Sequence, residues 1–327
     1  MLGDSDVGKT TYIASMYQAM QGSTRGFTLR AAQESDHWRL TSRASEILHG
    51  RFPPGSDRAA EYPMMLRYAG RDIFPVTWHD HRGGALNERS SSFQTARLLH
   101  RLETADGFLI FGDASRLLDN DNRSAVRSTQ DLTTHVLRVL PQRRSRATPL
   151  VIVLTKVDLI GFAGLDLGRI AAPFKALMDA VRGVADIHLA VAPVACGPAT
   201  RGVLRPTLWT LCFGLIARSQ ELAGNVGMHL SAARAAAQED TVWRRWKGAV
   251  RADRSLTPRS IVQERQERAL HDWSDVMPLI GHAVQLLSDD PASVLSPARP
   301  TAGTLAAAPA PRCAHRGRRY RPEARRH

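Results

Sequence analysis

Gly3-Asp4-Ser5-Asp6-Val7-Gly8-Lys9-Thr10 stands at the head of the chain, and its reading governs everything after it. The run fits G-x-x-x-x-G-K-[ST] at every fixed position, and an amphipathic helical stretch, Thr10 to Met20, follows at once. Gly3 and Gly8 allow the backbone to turn so that its N–H groups face a polyphosphate, and the helix start adds the positive end of its dipole. The expected cradle runs from Gly3 through Asp4, Ser5, Asp6, Val7 and Gly8 to Lys9, Thr10 and Thr11. Lys9 would bridge the β and γ phosphates, and the Thr10 hydroxyl would ligate Mg²⁺.

Outward from this loop, strand-like apolar runs alternate with longer amphipathic stretches. The runs are Phe27 to Leu29, Met64 to Tyr68, Ile73 to Trp78, Gly107 to Phe111, Leu150 to Leu154 and Ile187 to Val191. Beside Thr10 to Met20, helical patterns fall at Glu34 to Leu48, Arg123 to Leu140 and Leu167 to Val181, with a closing helix from Pro206 to Gly224. This alternation predicts an α/β fold, a mostly parallel P-loop sheet with helices on both faces. The runs at 64–68 and 73–78, joined by Ala69-Gly70-Arg71-Asp72, predict one antiparallel hairpin at the sheet edge. Two further helices, 228–252 and 259–288, carry no strand of their own. The expected organisation is a nucleotide-binding domain over 1–224, a helical appendage over 225–290 and a tail over 291–327.

Two more motifs follow in order. Asp80-His81-Arg82-Gly83 ends the Ile73 to Trp78 strand as D-x-x-G, placing Asp80 at the sheet's carboxyl edge, where nucleotides bind in such folds. There Asp80 can hold Mg²⁺ through water, and the Gly83 amide can meet a γ-phosphate. The strand Leu150 to Leu154 then runs into Thr155-Lys156-Val157-Asp158, or T-K-x-D. Guanine presents N1–H and its 2-amino group side by side, so the Asp158 carboxylate can accept both, whereas adenine lacks that donor pair. The Lys156 stem can lie over the purine face.

With these residues in place the chain resembles the P-loop GTPases of the translation-factor-like and Ras-like class. The resemblance covers about residues 1 to 222 and is carried by GDSDVGKT, DHRG and TKVD, with Asp113-Ala114 ending a central strand. The fuller opening, LGDSDVGKTTY, is similar to bacterial domains of the double-GTPase type. It implies binding of GTP, GDP and Mg²⁺, slow hydrolysis, and two switch segments ordered by the γ-phosphate. It also implies a loop at Pro193-Val194-Ala195-Cys196-Gly197, where Ala195 and Cys196 meet the guanine oxygen, and a Mg²⁺-completing hydroxyl. Ser56, in the Pro/Gly-rich loop Phe52 to Ser56, is the candidate for that hydroxyl, with Ser23, Thr24 and Thr28 as alternatives.

The pattern departs from the family in three places. Only Met1 and Leu2 precede the phosphate loop, so the first strand is largely missing. Gly84 stands where Ras-like proteins carry a water-orienting glutamine, leaving His81, Arg82 or a partner to serve, with Arg82 as a built-in arginine finger. The usual lysine is absent before Ala195-Cys196. Two functions are therefore expected from the sequence: a GTP-dependent switch acting on an effector protein of unknown identity, or a nucleotide-binding adaptor without turnover. An ATP-using P-loop enzyme would lack the guanine-reading T-K-x-D.

Charge is distributed unevenly along the 327 residues, of formal net charge +13. From Pro291 onward eight arginines face one acid, Glu323, so +7 of that charge sits in an Ala/Pro-rich tail expected to be disordered. The tail points to weak, sequence-independent contact with polyanions or to a solvated end without a partner. The longest apolar stretch, Pro206 to Ala217, is shorter than the roughly 20 residues a membrane span needs. Three cysteines, Cys196, Cys212 and Cys313, lack metal-like spacing, and Met1 runs directly into the loop, so a reducing cytoplasm is the expected setting.

Overall fold

The computed structural model describes residues 1–24, 26–54, 59–81, 100–119, 121–140, 147–161, 166–182, 184, 186–246 and scattered positions within 267–281. The expected roles of Ser56, Arg82 and Gly83, and the tail over 291–327, lie outside the described residues. The chain forms two compact units, Met1–Glu221 with His271–Arg299, and Leu222–Leu270 with Pro300–His327.

Two three-stranded sheets build the first unit. Strands β1 (Phe27–Ala31), β2 (Ala60–Tyr68) and β3 (Arg71–Asp80) are antiparallel in the order β1-β2-β3; β4 (Phe108–Asp113), β5 (Thr148–Thr155) and β6 (Ile187–Pro193) are parallel in the order β4-β5-β6. The expected single edge hairpin in a mostly parallel sheet is thus corrected: half of these strands are antiparallel. The hairpin exists and its turn is tighter than expected, because Ala69 (φ 47) and Gly70 (φ 83) are both left-handed and pair Tyr68 with Arg71. Such a two-residue turn matches the right-handed twist of its strands. β1 then lines the outer edge of β2, from Phe27 against Tyr68 to Ala31 against Met64.

Leu2 joins the two sheets. It is bridged in parallel to Ile110; its amide donates to Leu109 O and its carbonyl accepts from Phe111 N, each at 2.8 Å. On the other side the Met1 nitrogen donates to His79 O at 2.7 Å. Two residues therefore span the space between β3 and β4, and a cavity of about 600 Å³ continues their line between Ile73–His79 and Ala105–Leu109.

Alternation along the parallel strands sends successive side chains to opposite faces. Phe108, Ile110, Leu150, Ile152, Leu189 and Val191 form one core with Val136 and Val139 of α4 (Arg123–Val139) and Leu177 of α6 (Lys175–Val181). From the other face Phe111 meets Tyr12 of α1 (Lys9–Gln21) edge-on, ring centroids 5.2 Å apart. Helices therefore cover both faces. α1 buries Tyr12, Ile13, Ala14, Ser15, Met16 and Tyr17 in succession, so it is enclosed all round where the sequence pattern predicts an amphipathic helix. α2 spans Glu34–Leu48 as expected.

Two helical expectations change. Pro173 interrupts the stretch from Leu167 to Val181, which becomes α5 (Leu167–Ala171), a 3₁₀ turn (Ala172–Phe174) and α6. The expected break between Gly224 and Met228 is absent: α7 runs unbroken from Leu204 to Trp246. A helical glycine costs only about 1 kcal/mol relative to alanine, and among the described residues a Cβ on Gly224 or Gly227 would meet nothing within 4 Å. Among the described residues no helix is long and apolar enough to cross a membrane.

Candidate nucleotide site

Four of the segments singled out in the sequence emerge at the carboxyl edge of the strands. The loop Gly3–Gly8 follows the Leu2 bridge, Asp80 ends β3, Thr155 to Asp158 leave β5, and Ala195 to Gly197 follow β6. A cavity of about 350 Å³ opens among them, lined at one end by Ser5, Asp6, Gly8, Lys9, Thr10, Thr11, Asp80 and His81. Lys156, Asp158, Leu159, Cys196 and Gly197 line the rest with Phe52, Pro53 and Pro54.

The loop owes its shape to its glycines. A Cβ on Gly3 would lie 2.8 Å from Val7 Cγ2 and 3.0 Å from Phe111 Cβ, so only glycine fits where the chain leaves Leu2. Gly8, at φ 87, turns the backbone into α1 as its N-cap, without a side-chain cap. The first N–H groups of a helix have no partner within it, and the residues of this helix start, Gly8, Lys9 and Thr10, line the cavity. Lys9 is buried, and its Nζ donates to Gly3 O at 2.9 Å and Asp4 O at 2.7 Å. Burial lowers its pKa, against the carboxylates of Asp80, Asp4 and Asp6. Asp4 itself turns away, accepting from Ser5 N and from the Ser128 hydroxyl of α4 at 2.9 Å.

Thr10 and Asp80 meet although 70 residues separate them: the threonine hydroxyl donates to Asp80 Oδ2 at 3.1 Å. The other oxygen, Oδ1, is buried without a hydrogen-bond partner among the described residues. Burial raises the Asp80 pKa, opposed chiefly by Lys9. An orphaned carboxylate oxygen next to a hydroxyl is a hard-oxygen donor set of the kind Mg²⁺ takes, so these residues fit that ion.

Beside the phosphate loop Thr155 is buried, and its hydroxyl donates to Val7 O at 2.6 Å with Gly112 O at 3.1 Å. It braces the phosphate loop against β4 and β5. Lys156 adopts φ 57 and sends Nζ to Asp113 Oδ2 at 2.7 Å. Asp158 is exposed to the cavity, its Oδ2 3.4 Å from where a Cβ on Gly197 would stand. Ala195 lies behind the lining and exchanges hydrogen bonds with Arg201, its amide donating to Arg201 O at 2.9 Å. Cys196 lines the cavity with its thiol pushed up to about 12, mainly by burial, which favours the protonated form.

Gly3, Asp4, Val7 and Ala195 thus shape the loops from behind, while Ser5, Asp6, Gly8, Lys9, Thr10, Thr11, Asp80, Thr155, Lys156, Asp158 and Cys196 come together at the cavity. The sequence reading brought the loop Phe52 to Ser56 to the site through Ser56 and the loop Pro193 to Gly197 through Ala195 and Cys196; it did not name Phe52, Pro53, Pro54 and Gly197 themselves as lining, and it missed Leu159. Phe52 is 57% exposed, and its ring reaches within 3.6 Å of a Cβ built on Gly197. An aromatic residue before two stiff prolines was the available signal, but nothing local says where such a loop points.

A family model described as Double-GTPase 2 matches residues 1–191. No curated protein and no solved structure matches the chain.

Proposed function

The chain belongs to the Double-GTPase 2 family, and from that premise we propose that it is a guanine-nucleotide switch that binds GTP and GDP with Mg²⁺ and hydrolyses GTP slowly. The observation that carries the reading is the meeting of three sequence-distant motifs in one cavity, of a volume ordinary for a small-molecule site. The backbone from Gly3 to Thr11 takes the phosphates. Lys9 exchanges the carbonyls of Gly3 and Asp4 for β and γ oxygens. Thr10 and Asp80 would hold the metal, with Ser56 to complete the set; when bound, Mg²⁺ would neutralise charge on the phosphates. Asp158 reads guanine, Lys156 lies along the purine, and the Cys196 backbone meets the base oxygen beside Ala195. The Gly83 amide reports the γ-phosphate, and Arg82 supplies a positive charge to it. The nucleotide-binding domain spans 1–224; the helical region 225–290 or the tail 291–327 presents the state to an effector protein. Free, buried Cys196 and Cys212 suit a reducing compartment, and on that ground we place the protein in the cytoplasm.

Gly84 favours a second reading, a nucleotide-binding adaptor without turnover, because that position has no side chain to orient water. Phosphate release from GTP over hours with Mg²⁺ separates the two. The switch predicts slow release that disappears in Lys9→Ala, together with an affinity loss of roughly a hundredfold, since a charged contact to a desolvated phosphate contributes a few kcal/mol. Tight binding with no release contradicts the switch and leaves the adaptor.

A further inference from the structure

Asp113 and Lys156 meet across the ends of two neighbouring parallel strands, where Asp113 is the register partner of Thr155. The Asp113 side chain is 3% exposed and divides its oxygens between two tasks. Oδ1 accepts from the Ser115 amide at 3.1 Å, the Ser115 hydroxyl at 2.6 Å and the Arg116 amide at 3.2 Å, capping α3 (Ala114–Leu118). Oδ2 takes the Lys156 ammonium at 2.7 Å, with Arg116 Nε at 3.5 Å. Burial alone would raise this carboxyl; the hydrogen bonds from Lys156 and Ser115 outweigh it and hold the group below the usual carboxylate range.

Lys156 is the hinge between β5 and the guanine-reading turn. Its φ of 57 and ψ of 29 lie in the left-handed region, strained for a residue with a Cβ. The 3₁₀ turn Val157–Leu159 starts there, with Val157 fully buried and Asp158 exposed at the cavity. Burial of Val157 anchors one side of the turn, and the ion pair anchors the other. Drawing the ammonium toward Asp113 also keeps it away from Asp158, whose oxygens must stay open to accept the two guanine donors.

We propose that Asp113 is a positioning residue for guanine recognition, acting through Lys156 to hold the turn that aims Asp158 at the base edge. This rests on the guanine-nucleotide reading above and adds the group that sets the discriminating carboxylate. Asp113 is not among the residues that line the cavity.

The test uses Asp113→Asn in the full chain, where the amide oxygen retains the α3 cap and the charge facing Lys156 is lost. Calorimetric affinities for GDP and IDP are compared, because IDP lacks the 2-amino group and the GDP-to-IDP ratio reads the second hydrogen bond of Asp158. Asp113→Asn is expected to weaken GDP by about tenfold, the scale of coupling between contacting groups, to weaken IDP less, and so to shrink the ratio. Added to Lys156→Met it is expected to do nothing further. Lys156→Met alone leaves the cap intact and is expected to shrink the ratio as well. Equal losses for GDP and IDP, or the same loss in the Lys156→Met background, overturn the proposal. A wild-type chain that prefers GDP, beside an Asp113→Asn variant identical to it, overturns this inference alone. A wild-type chain that ignores GDP overturns the guanine reading and this inference with it.

Discussion

Thr155 braces Val7 across 148 residues of sequence with one hydroxyl, and contacts of this kind decide what a sequence discloses about its site. Lys9, Thr10, Asp80 and Asp158 were legible because their chemistry demands fixed spacing: a lysine after a glycine turn, a carboxylate at a strand end, a carboxylate two residues past a lysine. Phe52 and the bond between Asp113 and Lys156 were not legible, since each depends on which loops the sheet brings together. On the proposed reading the Asp158 carboxylate would accept two guanine donors, and an amide in its place would offer a donor that suits the 2-oxo group of xanthine. Asp158→Asn is expected to lower GDP affinity by at least about tenfold and to admit XDP, since hydrogen bonds to a charged group contribute about 1.5–3 kcal/mol. Competition binding with the two diphosphates checks it, and unchanged preference for GDP removes Asp158 from base recognition.

Among the elements, those with a strong local signal matched the sequence reading closely. The apolar run of β5 is buried along its whole length, and α2 spans its expected bounds. The misreadings have physical causes. β1 offers a burial pattern of only five residues, so its antiparallel partner could not be inferred, and the glycines of α7 were read as breaks where the helix simply continues. α1 reads as amphipathic, yet it is enclosed, with Tyr12 donating to or accepting from the Thr207 hydroxyl at 2.8 Å across to α7. Both partners are fully buried. Tyr12→Phe leaves the Thr207 hydroxyl without that partner and is expected to cost about 1–2 kcal/mol. A lowered urea midpoint with an unchanged slope checks this; an unchanged midpoint shows that the α1–α7 bond contributes nothing to stability.

For the whole molecule, composition alone points toward nucleic acid, and splitting the charge removes that inference. More than half of the +13 lies beyond residue 290, whereas the residues lining the nucleotide cavity all fall between Ser5 and Gly197. Removing residues 291–327 is therefore expected to leave GDP affinity unchanged. If the tail attracts polyanions, RNA or anionic-vesicle binding by the full chain falls steeply between about 50 and 200 mM salt, as counterion release requires, and the truncated chain shows none of it. Loss of GDP affinity on truncation contradicts the placement of the site.

Nucleotide choice separates guanine recognition from general binding of phosphates. Calorimetric titration of the full chain with GTP and with ATP, each with Mg²⁺, compares two ligands that share their phosphates and differ in the base edge that Asp158 faces. The guanine-nucleotide account predicts that GTP binds and ATP does not, and that Lys9→Ala removes the GTP signal. Equal affinity for the two nucleotides contradicts it.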